Sequence, residues 1–435
     1  MVYYARNANK NIGQGVEQLM DALYVFVTTA FPKAGAQVAG LPLTLNLLLT
    51  IYVILRHPNQ TLLSIQKHHS ITLAYSILFV FGVLSMLLAF VQGAAPFTLS
   101  QMLIVVGSPL VGIAAFRLPP ERFTKIIIIS MLIVNTYAIV QYVFGVESTA
   151  IEGLTYTYGQ SLSDKPVGFK ADGTTEKMTS TYQSGNSYGL FDALGLSYLM
   201  IRLPLNQRWN FAKITALLVG FIGFMLSGSR SIQIPFCICL VFILIQSVRQ
   251  TPPRLRQNIV AGIGFGGCAL AIFAASQPAM IFTITDRLIT QTLADPTASG
   301  RTDQWQGIID AVTQMNLPTL IRQFFFGKNP TAAFGGEGLP NFFALFGLPC
   351  TIAFYTGLIF LVIICWKNVH TKTIALAILC VIVAFCVDQS YLYPPSVMNV
   401  YLFYAAAQKL VSTSTTQKAN CSNTQSNKTL INSES

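Results

Sequence analysis

Ser227-Gly228-Ser229-Arg230-Ser231 stands between two long apolar runs, 214–226 and 232–245. The runs read as neighbouring membrane helices joined by a tight turn. A charged side chain between two membrane spans is costly and marks a functional site by default. The serines supply small hydroxyl groups and the arginine a permanent cation. The helix that follows contributes free N–H groups and the positive end of its dipole. Together these suit an anion.

The whole chain agrees with a membrane setting. Its 435 residues are 53% hydrophobic and only 10% charged, with mean hydropathy +0.56. A soluble domain carries about 25% charged residues. The composition therefore predicts an all-α, polytopic membrane protein. About twelve spans can be traced, near 18–32, 41–55, 70–92, 101–116, 126–144, 186–201, 211–227, 231–248, 257–276, 341–366, 373–387 and 396–411. A spanning helix needs about 17–25 residues. Residues 1–411 form one transmembrane domain, with loops 145–185 and 277–340 as its large polar insertions. The tail 412–435 is rich in Ser, Thr, Asn and Gln and is expected to be disordered.

Charge assigns the sides. Taking loops alternately, one side holds eighteen of the 27 Lys and Arg residues; the other holds nine, with eleven of the sixteen acidic residues. The positive-inside rule makes the first side cytoplasmic. Both termini are then inside, and the long loops and Arg230 face outward. The net charge of +11 is a topology signal, and nucleic acid is not an expected partner. The N-terminus carries Asp21 in its first apolar run and lacks a convincing signal peptide.

Several motifs carry less than they suggest. Gly262-Ile263-Gly264-Phe265-Gly266-Gly267 lies inside an apolar span without a preceding strand. It reads as helix packing through small residues, not as a dinucleotide site. The four histidines, His57, His68, His69 and His370, all fall on the expected cytoplasmic side. No metal site or cofactor is expected on the outer side. Seven of the eight cysteines lie in spans, which predicts packing roles. Asp21 reads as a structural acid, internally paired or hydrogen-bonded. Asp192 reads either as a structural acid, as a partner for Arg230 or as a proton carrier.

Among the nine outward cations, Arg230, Arg301, Arg322 and Lys328 form the candidate anion-binding set. Guanidinium groups grip phosphate oxygens two at a time and keep their charge at any relevant pH. Arg301 opens an expected helix over about 300–316, capped by Ser299. Its apolar positions Trp305, Ile308, Ile309 and Val312 fit a helix lying on the membrane surface. Glu337, in Gly335-Gly336-Glu337-Gly338-Leu339-Pro340-Asn341, is the best outward base in this loop. Asp388, in Asp388-Gln389-Ser390-Tyr391, is the next.

Four segments, in order, resemble the O-antigen polymerase and ligase superfamily of bacterial surface-polysaccharide assembly. They are 183–189 (Gln-Ser-Gly-Asn-Ser-Tyr-Gly), 227–231, 299–305 (Ser-Gly-Arg-Thr-Asp-Gln-Trp) and the stretch from Phe326-Gly327 through Glu337 and Asn341 to Gly347. The resemblance implies a GT-C-like fold with its large periplasmic loop between spans nine and ten. It implies a metal-independent glycosyltransferase of the inner membrane, using an undecaprenyl diphosphate-linked glycan as donor and acceptor. A chain-length regulator and membrane lipids are the implied partners. Arg230 and Arg301 would hold the diphosphate leaving group, with Arg322, Ser229, Ser231 and Asn341 binding substrate. Glu337 would act as base, and Trp305 and Tyr182 would stack on sugar rings. Ligases of this family carry a histidine beside Asn in the fourth segment. Its absence here favours a polymerase over a ligase. A lipid-linked oligosaccharide flippase is the rival from another class; it would spread charge through a central cavity.

Overall fold

The structure is a computed structural model that describes residues 2–38, 41–56, 69–155, 177–201, 207–249, 256, 264, 301–327, 337–393 and 395–412. The chain is mostly helical. The expected ninth span at 257–276, the glycine-rich 262–267 stretch, Ser299, Lys328 and the tail beyond 412 lie outside the described residues, apart from helical backbone at Gly264.

The helices are α1 (Val2–Ala30), α2 (Leu45–Arg56), α3 (His69–Val91), α4 (Pro96–Gly107), α5 (Gly112–Arg117), α6 (Pro120–Phe144), α7 (Val146–Thr149), α8 (Gly185–Leu199), α9 (Gln207–Leu226) and α10 (Arg230–Arg249). After them come α11 (Arg301–Thr313), α12 (Leu317–Phe326), α13 (Gly338–Trp366) and α14 (Lys372–Val387), then a last helix, α15, over 396–412. One antiparallel hairpin, β1 (Gly35–Val38) with β2 (Leu41–Thr44), interrupts the all-α pattern. It occupies the start of the expected span 41–55.

Four described helices are long and apolar enough to cross a membrane: Ile71–Val91, Pro120–Phe144, Gln207–Leu226 and Gly338–Trp366. α3 leaves Leu73, Phe79, Val80, Leu84, Leu87 and Phe90 exposed along its length. So large an apolar face suits lipid and not water.

Prolines and glycines break two expected spans. The run 101–116 is not one helix. Pro109 has no N–H to offer the Val105 carbonyl, and Ser108 Oγ donates to that carbonyl instead, at 2.9 Å. The chain passes through a 3-10 turn, Ser108–Val111, before α5. α13 breaks at Gly347, whose φ is 77°, and Pro349 cannot serve the Leu345 carbonyl. Gln323 Nε2 donates to Ala344 O at 3.2 Å, and Ser85 Oγ to Phe346 O at 3.1 Å. Gly327 and Gly347, both at positive φ, let the end of α12 cross the break backbone to backbone. A Cβ at either would meet main-chain atoms of the other segment.

α6, α8 and α9 pack together around a buried polar ring. Asn135 Nδ2 donates to Asp192 Oδ1 at 3.0 Å, and Tyr188 Oη to Asn135 Oδ1 at 2.6 Å. Asp192 thus partners Asn135, as a structural acid does. Asp21 meets Arg117 Nε at 2.9 Å, the internal pair expected of it.

Gly223 makes room for the ring, because a Cβ there would collide with both Asn135 Oδ1 and Tyr188 Oη. Gly223→Ala should destabilise by about 1–3 kcal/mol, as overpacking does. Gly307→Ala, where the space is open, should be neutral or stabilising. Thermal unfolding midpoints of the two variants in detergent check this.

Candidate functional site

The helix ends segregate. At one end Arg117 joins Glu17 at 2.8 Å, and Lys125 lies over the Trp209 ring at 5.4 Å. The starts of α6 and α9 therefore meet there, and Lys213 Nζ binds Ile201 O just beyond the end of α8. At the other end, Gln141 near the close of α6 exchanges hydrogen bonds with Ser180. Met178 N donates to Leu226 O at the close of α9. Loops that the charge pattern assigns to one side thus gather at one end of the molecule.

Arg230 lies at this second end, as the first residue of α10. It is half-buried. Ser229 is its helix cap: the Ser229 carbonyl accepts from Gln233 N at 2.8 Å. Ser229 Oγ pairs with the half-buried Ser231 hydroxyl at 3.2 Å. Gln233 Nε2 turns back onto Phe224 O and Met225 O, at 2.9 and 3.0 Å, and closes the end of α9. The Arg230 backbone thus stands where the first N–H groups of a helix lack intrahelical acceptors.

The turn rests on α8. Ser184 caps α8 by accepting from Ser187 N at 3.2 Å. A Cβ at Gly185 would collide with the Ser227 carbonyl, and one at Gly189 would crowd the Ser227 hydroxyl and the Ile232 side chain. Between these glycines, Asn186 Nδ2 donates to Asp388 Oδ2.

Asp388 ends α14 and joins the segments. Its Oδ1 accepts from Ser390 N at 2.7 Å and from Ser390 Oγ. Tyr391, on the following turn, donates to Gly338 O at 2.9 Å and accepts from Asn341 Nδ2 at 3.2 Å. Burial, with Asp388 and Glu337 nearby, pushes the Tyr391 hydroxyl above its ordinary value, against the opposing Asn341 bond. Tyr393 is shifted the same way by burial and the same two carboxylates. Both phenols are thus neutral donors beside two acids. Trp305 Nε1 donates to the Glu337 carbonyl at 3.2 Å, which brings α11 to the same place.

The 388–391 turn therefore bridges segments more than 150 residues apart in sequence. Arg230, Ser229, Ser231, Trp305, Glu337 and Asn341 all lie at this end. Glu337 is half-buried and precedes α13, without capping it through its side chain. Arg322 lies on α12, half-buried, and its Nε has no hydrogen-bond partner among the described residues. The Arg301 backbone starts α11, but its side chain lies outside the described set.

Tyr182 needs correction. It is fully buried, stacked on Phe191 with centroids 5.2 Å apart, and donates to Thr29 O at 2.6 Å. It has no face left for a sugar. The linking role of Asp388 and Tyr391 is not visible from spacing, although Asp388 is a candidate by residue type. No group of three or more His, Cys, Asp or Glu side chains among the described residues is arranged to hold a metal ion. No protein-family model matches the chain, and no curated protein matches it.

Lys33 is a buried amine near this end. Its Nζ donates to Thr155 O at 3.2 Å, and burial pushes it down to about 7. The unfolded chain then binds more protons than the folded one between pH 7 and 10.5. Stability should rise with pH across that window and fall toward pH 7. Lys33→Met should flatten this slope, read as the unfolding midpoint in detergent at neutral and at alkaline pH.

Proposed function

We propose that this chain is a Wzy-type polysaccharide polymerase. It joins undecaprenyl diphosphate-linked repeat units into an O-antigen or capsular polysaccharide at the periplasmic face of the bacterial inner membrane. One observation carries the reading: the family-like segments containing Arg230, Trp305, Glu337 and Asn341 converge at one end of a helical bundle. In this reading the bundle has about twelve spans and a GT-C-like fold, and both termini are cytoplasmic.

The chemistry follows from the residues. A hydroxyl of one lipid-linked unit attacks the anomeric carbon of another chain, and undecaprenyl diphosphate leaves. Negative charge grows on the leaving oxygen, so a cation fixed beforehand stabilises the transition state more than the ground state. The Ser229 cap and the α8 glycines place the turn that carries Arg230, the first cation of this reading, with Arg301 as the second. Arg322, on α12, is suited to assist. Glu337 is assigned the acceptor proton. Asp388 is less suited to that task, because its carboxylate already accepts from Asn186 and Ser390. Trp305 is the remaining aromatic candidate for a sugar ring.

Arg230→Lys keeps the charge and loses the guanidinium fork. It should cut polymer yield at least about tenfold, the loss of roughly 1.4 kcal/mol of transition-state stabilisation. Surface glycans on a gel, from a deletion strain complemented with each variant, read the effect. Unchanged polymer length and yield would remove the bidentate role. In the same assay Glu337→Gln should leave single-repeat glycans, and normal polymer would exclude Glu337 as base. Loss of all surface attachment in the deletion strain would point to a ligase. Retention of repeats on the inner leaflet would point to a flippase.

A further inference from the structure

We infer that α12 is a re-entrant helix that lies within the hydrocarbon of the bilayer, its apolar face against lipid acyl chains. The inference rests on reading α3 and α13 as membrane-spanning.

The two sides of α12 are reversed relative to a helix on a protein in water. Leu317, Ile321, Phe324 and Phe325 fall at positions i, i+4, i+7 and i+8, one face of a helix. They are exposed by 69, 51, 42 and 40%. The side against the protein carries buried Gln323, which donates to Ala344 O. In water this arrangement would expose the apolar face and bury the polar one. Against lipid it is the favoured arrangement. Ten residues of helix reach only about 15 Å, half of the roughly 30 Å hydrocarbon core, so α12 enters without crossing.

Its depth follows from its contacts. Phe326 stacks on Phe81, with centroids 6.1 Å apart and planes 25° apart. Phe81 is the middle residue of the apolar span Ile71–Val91. The adjoining backbone of Phe325 and Phe326 lies against Gly347, inside α13. Yet α11 and Glu337 lie at the outer end of the bundle. Trp305 on α11 binds the Glu337 carbonyl there, and Gly338 backs onto Cys386 at the close of α14. α11 and Glu337 thus mark the outer end, and the close of α12 lies deeper than either.

Unsatisfied backbone groups cost several kcal/mol in that medium, and two N–H groups at the ends of α12 are paired. Asn316 caps its start by accepting from Thr319 N at 3.1 Å, and the Gly327 N–H at its close donates to Gln323 O at 3.1 Å. Gly327 itself is buried in protein. α11 differs: Asp303, Gln306 and Asp310 are exposed, and Gln306 donates to Asp310. Its polar side belongs at the headgroup level. An arginine such as Arg322 is tolerated below that level because its long side chain can reach toward the headgroups.

Tryptophan quenching tests this. Trp209, Trp305 and Trp366 are replaced by Phe, and single tryptophans are placed by Phe325→Trp, Ile321→Trp, Phe79→Trp and Gln306→Trp. Each full-length variant is reconstituted in phosphatidylcholine vesicles, with and without brominated acyl chains. The tryptophans at 325 and 321 should be quenched by bromolipid to an extent similar to that at 79, and shielded from aqueous iodide. The tryptophan at 306 should show the reverse. If those at 325 and 321 follow 306 while 79 is quenched by bromolipid, α12 lies outside the hydrocarbon and the inference is overturned. If 79 is also quenched by iodide alone, the spanning reading of α3 fails and the inference fails with it.

Discussion

A carbonyl freed by a break in an apolar helix must find a donor inside the protein, because a hydrocarbon medium offers none. The breaks described here meet that demand with particular side chains. At Gly347 the donors are Gln323 from α12 and Ser85 from α3. At Pro109 the donor is the neighbouring Ser108. Between α9 and α10, Gln233 reaches back to Phe224 and Met225. Gln323, Ser85 and Gln233 each tie one helix to another, and Ser108 serves its own turn. The satisfied breaks therefore hold the bundle together.

The same breaks build the site. The Ser227–Ser231 turn needs α8 beside it, and the α8 glycines let it approach. The interruption after α14 places Asp388 against Asn186 and sends Tyr391 to Gly338 and Asn341. Polar groups there are engaged mainly with one another. This framework places the Arg230 backbone at the start of α10.

Much of the helical pattern was legible because hydropathy and length act locally. The apolar runs at 70–92, 126–144, 211–227 and 341–366 correspond to four helices with the composition of spans. Arg230 stood out because a charge between apolar runs has few structural reasons to be there. Other features escaped. The hairpin Gly35–Val38 with Leu41–Thr44 and the break at Gly347 are set by glycine, proline and packing partners, which hydropathy ignores. The expected surface helix near 300–316 is α11, and α12 after it was not separated by its apolar pattern. Tyr182 looked like a sugar platform by residue type, but Phe191 and Thr29 claim its ring and hydroxyl.

By itself the sequence determined where the four longest apolar helices form and how loop charge alternates along the chain, and it set Arg230 apart as a charge between two apolar runs. These follow from composition and order along the chain, and the backbone needs no distant contact to express them. Only the tertiary structure decided that Asp388 and Tyr391 join Asn186 to Asn341 and Gly338. It also decided that Gln323 serves a break in α13 and that Asp192 belongs to Asn135. The physical reason is the same in each case. A buried hydrogen bond pairs whichever groups the packing brings together, and sequence separation says nothing about which those will be.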